Sequence, residues 1–135
     1  MSTDFMQLHR PGIGNASSYQ VSGKPFVTGN LSIAAVGNTP TQVSFPSITK
    51  KVIIINPDTR DVRVGFSSAG VSGSNFVLVN QKNGSEHGHL ELEVKCTSIF
   101  LLGVGGTATV NVAAELTNIP ALELPTNWSG SVGVG

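Results

Sequence analysis

The stretch His87-Gly88-His89-Leu90-Glu91-Leu92-Glu93 comes nearest to chemistry by residue type and spacing. Alternate residues of a strand point to one face. On a strand, His87, His89, Glu91 and Glu93 would therefore share one side, and Leu90, Leu92 and Val94 the other. Two imidazoles followed by carboxylates are ligands for a divalent metal. Successive positions on one strand seldom converge on one ion unless a neighbour adds a ligand. The expectation is therefore a solvated polar face, with His87 and His89 as the candidate metal ligands. The same imidazoles at a subunit contact would make it pH-sensitive.

Other candidates are weaker. Cys96 lies between Lys95 and Thr97, and a neighbouring ammonium can lower a thiol pKa. A small core residue is the expectation there. No Gly-x-Ser-x-Gly elbow occurs. Asp58 and Asp61 flank Thr59-Arg60 after Pro57, a pattern that caps a turn before it binds calcium. Gly103-Val104-Gly105-Gly106 lacks the Gly-Lys-Ser/Thr ending of a phosphate loop. Lys50-Lys51 and Arg60/Arg63 are the only basic pairings, and aromatic residues are 6% of the chain. Nucleic-acid binding needs more positive charge and interleaved aromatics. No catalytic residues, cofactor or nucleic acid are expected.

The elements that must position these residues are strands. Leu31–Val36, Thr41–Phe45, Lys51–Asn56, Val62–Phe66, Phe76–Val79, His87–Val94, Ile99–Val104 and Thr107–Leu116 are short β-rich or alternating runs. Turn chemistry separates them, as in Gly37-Asn38-Thr39-Pro40 and Pro57-Asp58-Thr59-Arg60-Asp61. Residues 67–74 and 80–86 read as Gly-, Ser- and Asn-rich loops. No segment holds a helical period. The expected fold is all-β, a single-domain β-sandwich. Eight strands suit a jelly roll of two four-stranded sheets. An immunoglobulin-like sandwich competes, without its Cys…Trp…Cys pattern.

Length fits one domain: 135 residues, with 39% hydrophobic and 12% charged residues, and eight basic residues balancing eight acidic ones. No run approaches the ~20 apolar residues that cross a bilayer, so no membrane partner is expected. Residues 1–10 lack a basic segment followed by an apolar one, so no signal peptide is expected. A lone cysteine fits synthesis in a reducing compartment. The Asn-x-Ser patterns at Asn15, Asn30, Asn83 and Asn127 are then chance matches.

Three zones result: an arm at 1–24, the sandwich at 25–118 and a tail at 119–135. The arm and tail carry apolar residues without periodicity. Phe5, Met6, Leu8, Ile119, Leu122, Leu124 and Trp128 are the expected anchors on neighbouring chains.

The runs Lys51–Asn56, Val62–Phe66 and Thr107–Val112, in a compact sandwich with extended ends, resemble small single jelly-roll structural proteins of viruses. Those are the minor capsid, vertex or cement (decoration) proteins of bacteriophages and their relatives. The resemblance implies a non-enzymatic virion component at a capsid surface or vertex. It implies synthesis in the host cytoplasm and assembly with copies of itself and a major capsid protein. Arg10 and Lys24 are the only basic residues of the arm, unlike the Arg/Lys-rich arms that package RNA, which points to an accessory position. The alternative is a glycan- or receptor-binding sandwich using loops 67–74 and 80–86. A metal-dependent enzyme built on His87 and His89 is the third reading.

Overall fold

The computed structural model describes residues 24–123. Most of the arm and tail, including Phe5, Met6, Leu8, Leu124 and Trp128, lies outside the described residues. Eight strands run through the rest: β1 (Lys24–Ile33), β2 (Thr41–Ser44), β3 (Ser47–Asn56), β4 (Val62–Gly65), β5 (Val77–Val79), β6 (Gly88–Leu92), β7 (Ser98–Gly103) and β8 (Ala108–Pro120). They form two four-stranded sheets, ordered β1-β8-β3-β6 and β2-β7-β4-β5. All pairings between these strands are antiparallel. Strand β1 pairs with β8, β2 with β7, β3 with β6 and β4 with β5. This nesting is a long hairpin folded at the β4–β5 connection and rolled into two layers, which is a jelly roll.

The core lies between the layers. Val52, Ile54, Val110, Val112 and Ala114 face it from the first sheet, and Val62, Val64, Ile99 and Leu101 from the second. Each fully buried aliphatic side chain of this kind contributes about 1.5–3 kcal/mol. Along β3 burial alternates from Lys51 to Asn56. Although β3 is central in its sheet, its second face is only partly covered. Phe26 and Phe45 meet edge to face, centroids 5.0 Å apart, and link β1 to the connection after β2.

Strand β1 starts seven residues before the expected Leu31. Pro25 and Gly29 read as breakers, yet β1 is an edge strand, where a missing N–H costs no ladder bond. Between Thr28 and Leu31 the register against β8 slips by one residue. Asn30, at φ 53°, takes up the extra residue, and its N–H donates to Asn111 Oδ1 at 2.8 Å. The bulge reverses side-chain parity. It lets Phe26 and Thr28 before it, and Leu31 and Ile33 after it, all lie opposite residues of the core-facing β8 set.

Residues 67–74 are not an open loop. Ser68–Ser72 form a short helix, α1, whose Gly70 N–H is capped by Ser67 Oγ at 2.9 Å. Helix α1 packs on β4 and β7. A Cβ on Gly65 would lie 2.8 Å from Val71 Cβ, so the glycine makes room for the helix. Val71 and the outward Leu102 are both fully buried. The helix therefore explains why β7 is buried on both faces.

The connections segregate. Segments 34–40, 57–61, 80–87 and 104–107 gather at one end of the sandwich. Segments 45–46, 66–76 and 93–97 lie at the other, where the described chain enters at Lys24 and leaves after Pro120.

Candidate functional site

The His-Gly-His region divides on folding. Strand β6 spans only Gly88–Leu92, so His89 and Glu91 project from its exposed face while His87 stays in the preceding loop. Leu90 and Val94 pack against the core. The expected row of four side chains on one strand is thus reduced to two. The register sets Ile55 opposite His89 and Ile53 opposite Glu91, with Lys51 one step further along β3. Lys51 Nζ lies 2.8 Å from Glu91 Oε1. That hydrogen bond, with its charge, raises the Lys51 pKa, and Glu115 and Glu93 add to the effect. The same bond holds the Glu91 carboxyl below its ordinary range, with a smaller contribution from His89. A lysine ammonium thus sits against the Glu91 carboxylate, where a metal ion would have to displace it. Among the described residues, no three His, Cys, Asp or Glu side chains gather closely enough to hold a metal.

Gly88 has a structural reason. A Cβ there would fall 1.7 Å from the Asn80 carbonyl oxygen. Strand β6 approaches the end of β5 too closely for any side chain, so the spacing of the two histidines follows from packing.

The densest polar arrangement lies at the loop end, around a residue not singled out from the sequence. Asn56, the last residue of β3, is fully buried. Its Nδ2 donates to the carbonyls of Arg60, Val79 and Asn80 at 2.7, 3.2 and 3.2 Å. Its Oδ1 accepts the Asp58 N–H at 3.0 Å. Asp58 continues the network, accepting the Thr59 N–H at Oδ1 (2.7 Å) and the Thr109 N–H at Oδ2 (3.0 Å). Burial opposes charge on Asp58. The N–H groups of Thr109, Thr59 and Arg60 and the Arg60 guanidinium outweigh it and lower the pKa. Asp61 Oδ1 accepts the Gln81 N–H at 2.8 Å. Asp58 therefore bonds backbone within its own turn, the role expected of it, whereas Asp61 ties that turn to the 80–87 loop. A sequence signal for Asn56 existed in Asn-Pro-Asp, since Asn bonds the backbone two residues on.

Cys96 is buried in the core. Thr49 Oγ1 lies 3.4 Å from its sulfur, donates to the Val94 carbonyl at 2.7 Å and accepts the Cys96 N–H at 3.1 Å. Desolvation raises the thiol pKa, outweighing the Thr49 and Ser98 hydrogen bonds. The activation by Lys95 considered from the sequence does not occur. This is a core residue that joins β3 to the segment before β7.

Loops 67–74 and 80–86 do not form one surface. They flank the three-residue β5 and lie at opposite ends of the sandwich. Arg63, beside α1, reaches the carbonyls of Val71 and Ser72 at 3.3 and 3.5 Å, and its guanidinium lies 4.2 Å from the Phe76 ring centroid.

Of the expected anchors within the described residues, Ile119 is a correction. Strand β8 continues two residues past 118, and Ile119 is 0% exposed within its own chain. Thr117 Oγ1 bonds the Ile48 carbonyl there at 2.7 Å. An anchor for another chain cannot be buried in its own. Leu122 differs: it sits on the 3-10 turn Ala121–Glu123 and is 97% exposed. Val27, on the outer face of β1, is 77% exposed. No helix of the described residues is long and apolar enough to cross a membrane.

No family model matches the sequence, and no curated protein matches it. A chain from a solved structure of Bacillus endospore appendages, described as "a novel family of disulfide-linked pili", is similar with a TM-score of 0.39 and 15% identity. The match covers 72% of this chain and 93% of that one. Similarity of that size assigns this chain to no family.

Proposed function

We propose that the chain is a non-enzymatic structural protein that assembles with copies of itself, in the manner of a viral minor capsid, cement or decoration protein. A major capsid protein would be its second partner, and the virion surface or vertex its location. No cofactor enters this reading.

One observation carries it. The described chain enters at Lys24 and leaves after Pro120 at the same end of a jelly roll, and the fully exposed Leu122 follows at once. The described core is drawn from residues between Phe26 and Ile119. A further 23 residues precede β1 and 12 follow the 3-10 turn in the sequence, with Phe5, Met6, Leu8, Leu124 and Trp128 among them. Extended chain spans up to about 3.3–3.6 Å per residue, so 23 residues can outreach the longest strand of a neighbouring sandwich. Apolar residues in segments of that length, joined to one end of the sandwich, suit attachment to a neighbour. Formal neutrality suits repetitive packing, because like copies repel little. Phe5, Met6, Leu8, Leu122, Leu124 and Trp128 remain the anchors of this reading, without Ile119.

Sedimentation of the full chain, with and without shell protein, tests it. A defined oligomer or co-sedimentation with shells is expected, and Leu122→Asp should weaken it. A full chain that stays monomeric at high concentration and ignores shells would overturn it.

A further inference from the structure

We propose that Asn83-Gly84 is a self-modification site, at which the folded chain deamidates without an enzyme. The chain has ten asparagines, and only Asn83 precedes a glycine; each of the other nine precedes a residue with a Cβ. That atom hinders attack by the following amide nitrogen, and glycine removes it. The fold leaves the pair accessible. Residues 80–87 are exposed. Gly84 has φ 63°, with nothing within 4 Å of the position a Cβ would take. Among the described residues, no hydrogen bond holds the Asn83 side chain or the Gly84 N–H. By contrast, Asn56 is fully buried with both side-chain atoms bonded, and Asn111 Oδ1 is held by Asn30 N–H.

The chemistry needs only water. The Gly84 amide nitrogen gives its proton to solvent and adds to the Asn83 side-chain carbonyl carbon. The bond to the side-chain nitrogen breaks, and that nitrogen leaves as ammonia, closing a succinimide. Water then adds to either ring carbonyl and opens the ring, giving aspartate or isoaspartate. The sum is amide plus water to carboxylic acid plus ammonia, with no change of oxidation state.

The site is placed to matter. Asn83 and Glu86 exchange both backbone hydrogen bonds, at 2.8 and 3.0 Å, and close the turn. Either product puts a second carboxylate beside Glu86. Isoaspartate also lengthens the backbone inside that pair and breaks its register. The loop is tied to the 57–61 turn through Lys82 N–H to the Asp58 carbonyl and Gln81 N–H to Asp61 Oδ1, so the change reaches the Asn56 network. The inference is independent of the proposed assembly role.

The test is a time course of the full chain at neutral and mildly alkaline pH, read by intact mass and peptide mapping. Urea-unfolded chain serves as the reference for intrinsic reactivity. The expected result is a deamidation mass shift confined to the Asn83 peptide, faster at the higher pH and lost in Asn83→Gln. An equal shift at other asparagines overturns the proposal. So does a folded chain that stays unmodified, whether or not the unfolded chain converts.

Discussion

The outer face of β6 and the loop end of the sandwich use similar residues for opposite ends. On the outer face His89 and Glu91 are exposed and Lys51 is half-buried, and the Lys51–Glu91 ion pair stays open to water. At Asn56, Asp58 and Asp61 they are drawn into backbone, and Asn56 is wholly buried with both side-chain polar atoms bonded. Exposed pairs contribute little, because solvent screens them and side-chain entropy opposes them. A buried amide is costly to remove, because its partners lose water and protein together. Residues that look chemical in a sequence can thus be energetically idle, while an unremarked asparagine ties two loops together.

Removing the centre of the loop network should have the largest effect. Asn56→Ala leaves three carbonyls and one N–H short of a partner and should cost about 3 kcal/mol, given ~1–3 kcal/mol per buried unsatisfied group and some rescue by water. Chemical denaturation read by circular dichroism measures it. A loss under about 0.5 kcal/mol, the scale of an ordinary surface substitution, would erase the contrast between the two regions. Gly88→Ala comes next, at about 2 kcal/mol, since the backbone must yield to the new methyl. A variant of wild-type stability would show that β6 and the Asn80 carbonyl are not held in close approach.

Asp58→Asn should cost about 1 kcal/mol through weakened bonds to backbone. Its pH dependence has a definite sign. The folded pKa is depressed below the ordinary aspartate range. The contribution is therefore complete above the unfolded pKa and is lost as pH falls through the lower folded value. The wild-type chain should lose this part of its stability on acidification, and Asp58→Asn should lose less over that window. Parallel pH profiles would remove Asp58 as a charged staple. Glu91→Gln, smallest of the set, should leave the thermal midpoint unchanged at any salt concentration. Zinc should not raise that midpoint either. A rise with metal would signal binding to the native state and restore the His89 face as a ligand set.

The strands were legible because their information is local. Val62–Phe66, Ile99–Val104 and Thr107–Leu116 alternate or run apolar between turn residues, and β4, β7 and β8 form there, with β8 running on to Pro120. The eight-stranded sandwich follows from that count and spacing. What escaped depends on contacts distant in sequence. The first part of β1 is disguised by Pro25 and Gly29, which only an edge position and a bulge make acceptable. Helix α1 has five residues, too few for a period. Ile119 looked like part of a tail because Pro120 follows it, yet β8 runs on against β3. The polar row around His87 was half legible. Alternation located His89 and Glu91, but the opposing Lys51 comes from β3, through a register no local pattern records.

Entry and exit at one end also make the domain a candidate for circular permutation. Joining the original ends and cutting within 80–86 would retain all eight strands, and exposed loop tips are where such cuts succeed. The new termini would emerge among the turns, so whatever is fused to them would ride on the opposite pole of the sandwich. The permutant would separate two properties that the native chain order locks together: which strands pair, and at which pole the chain enters and leaves the sandwich.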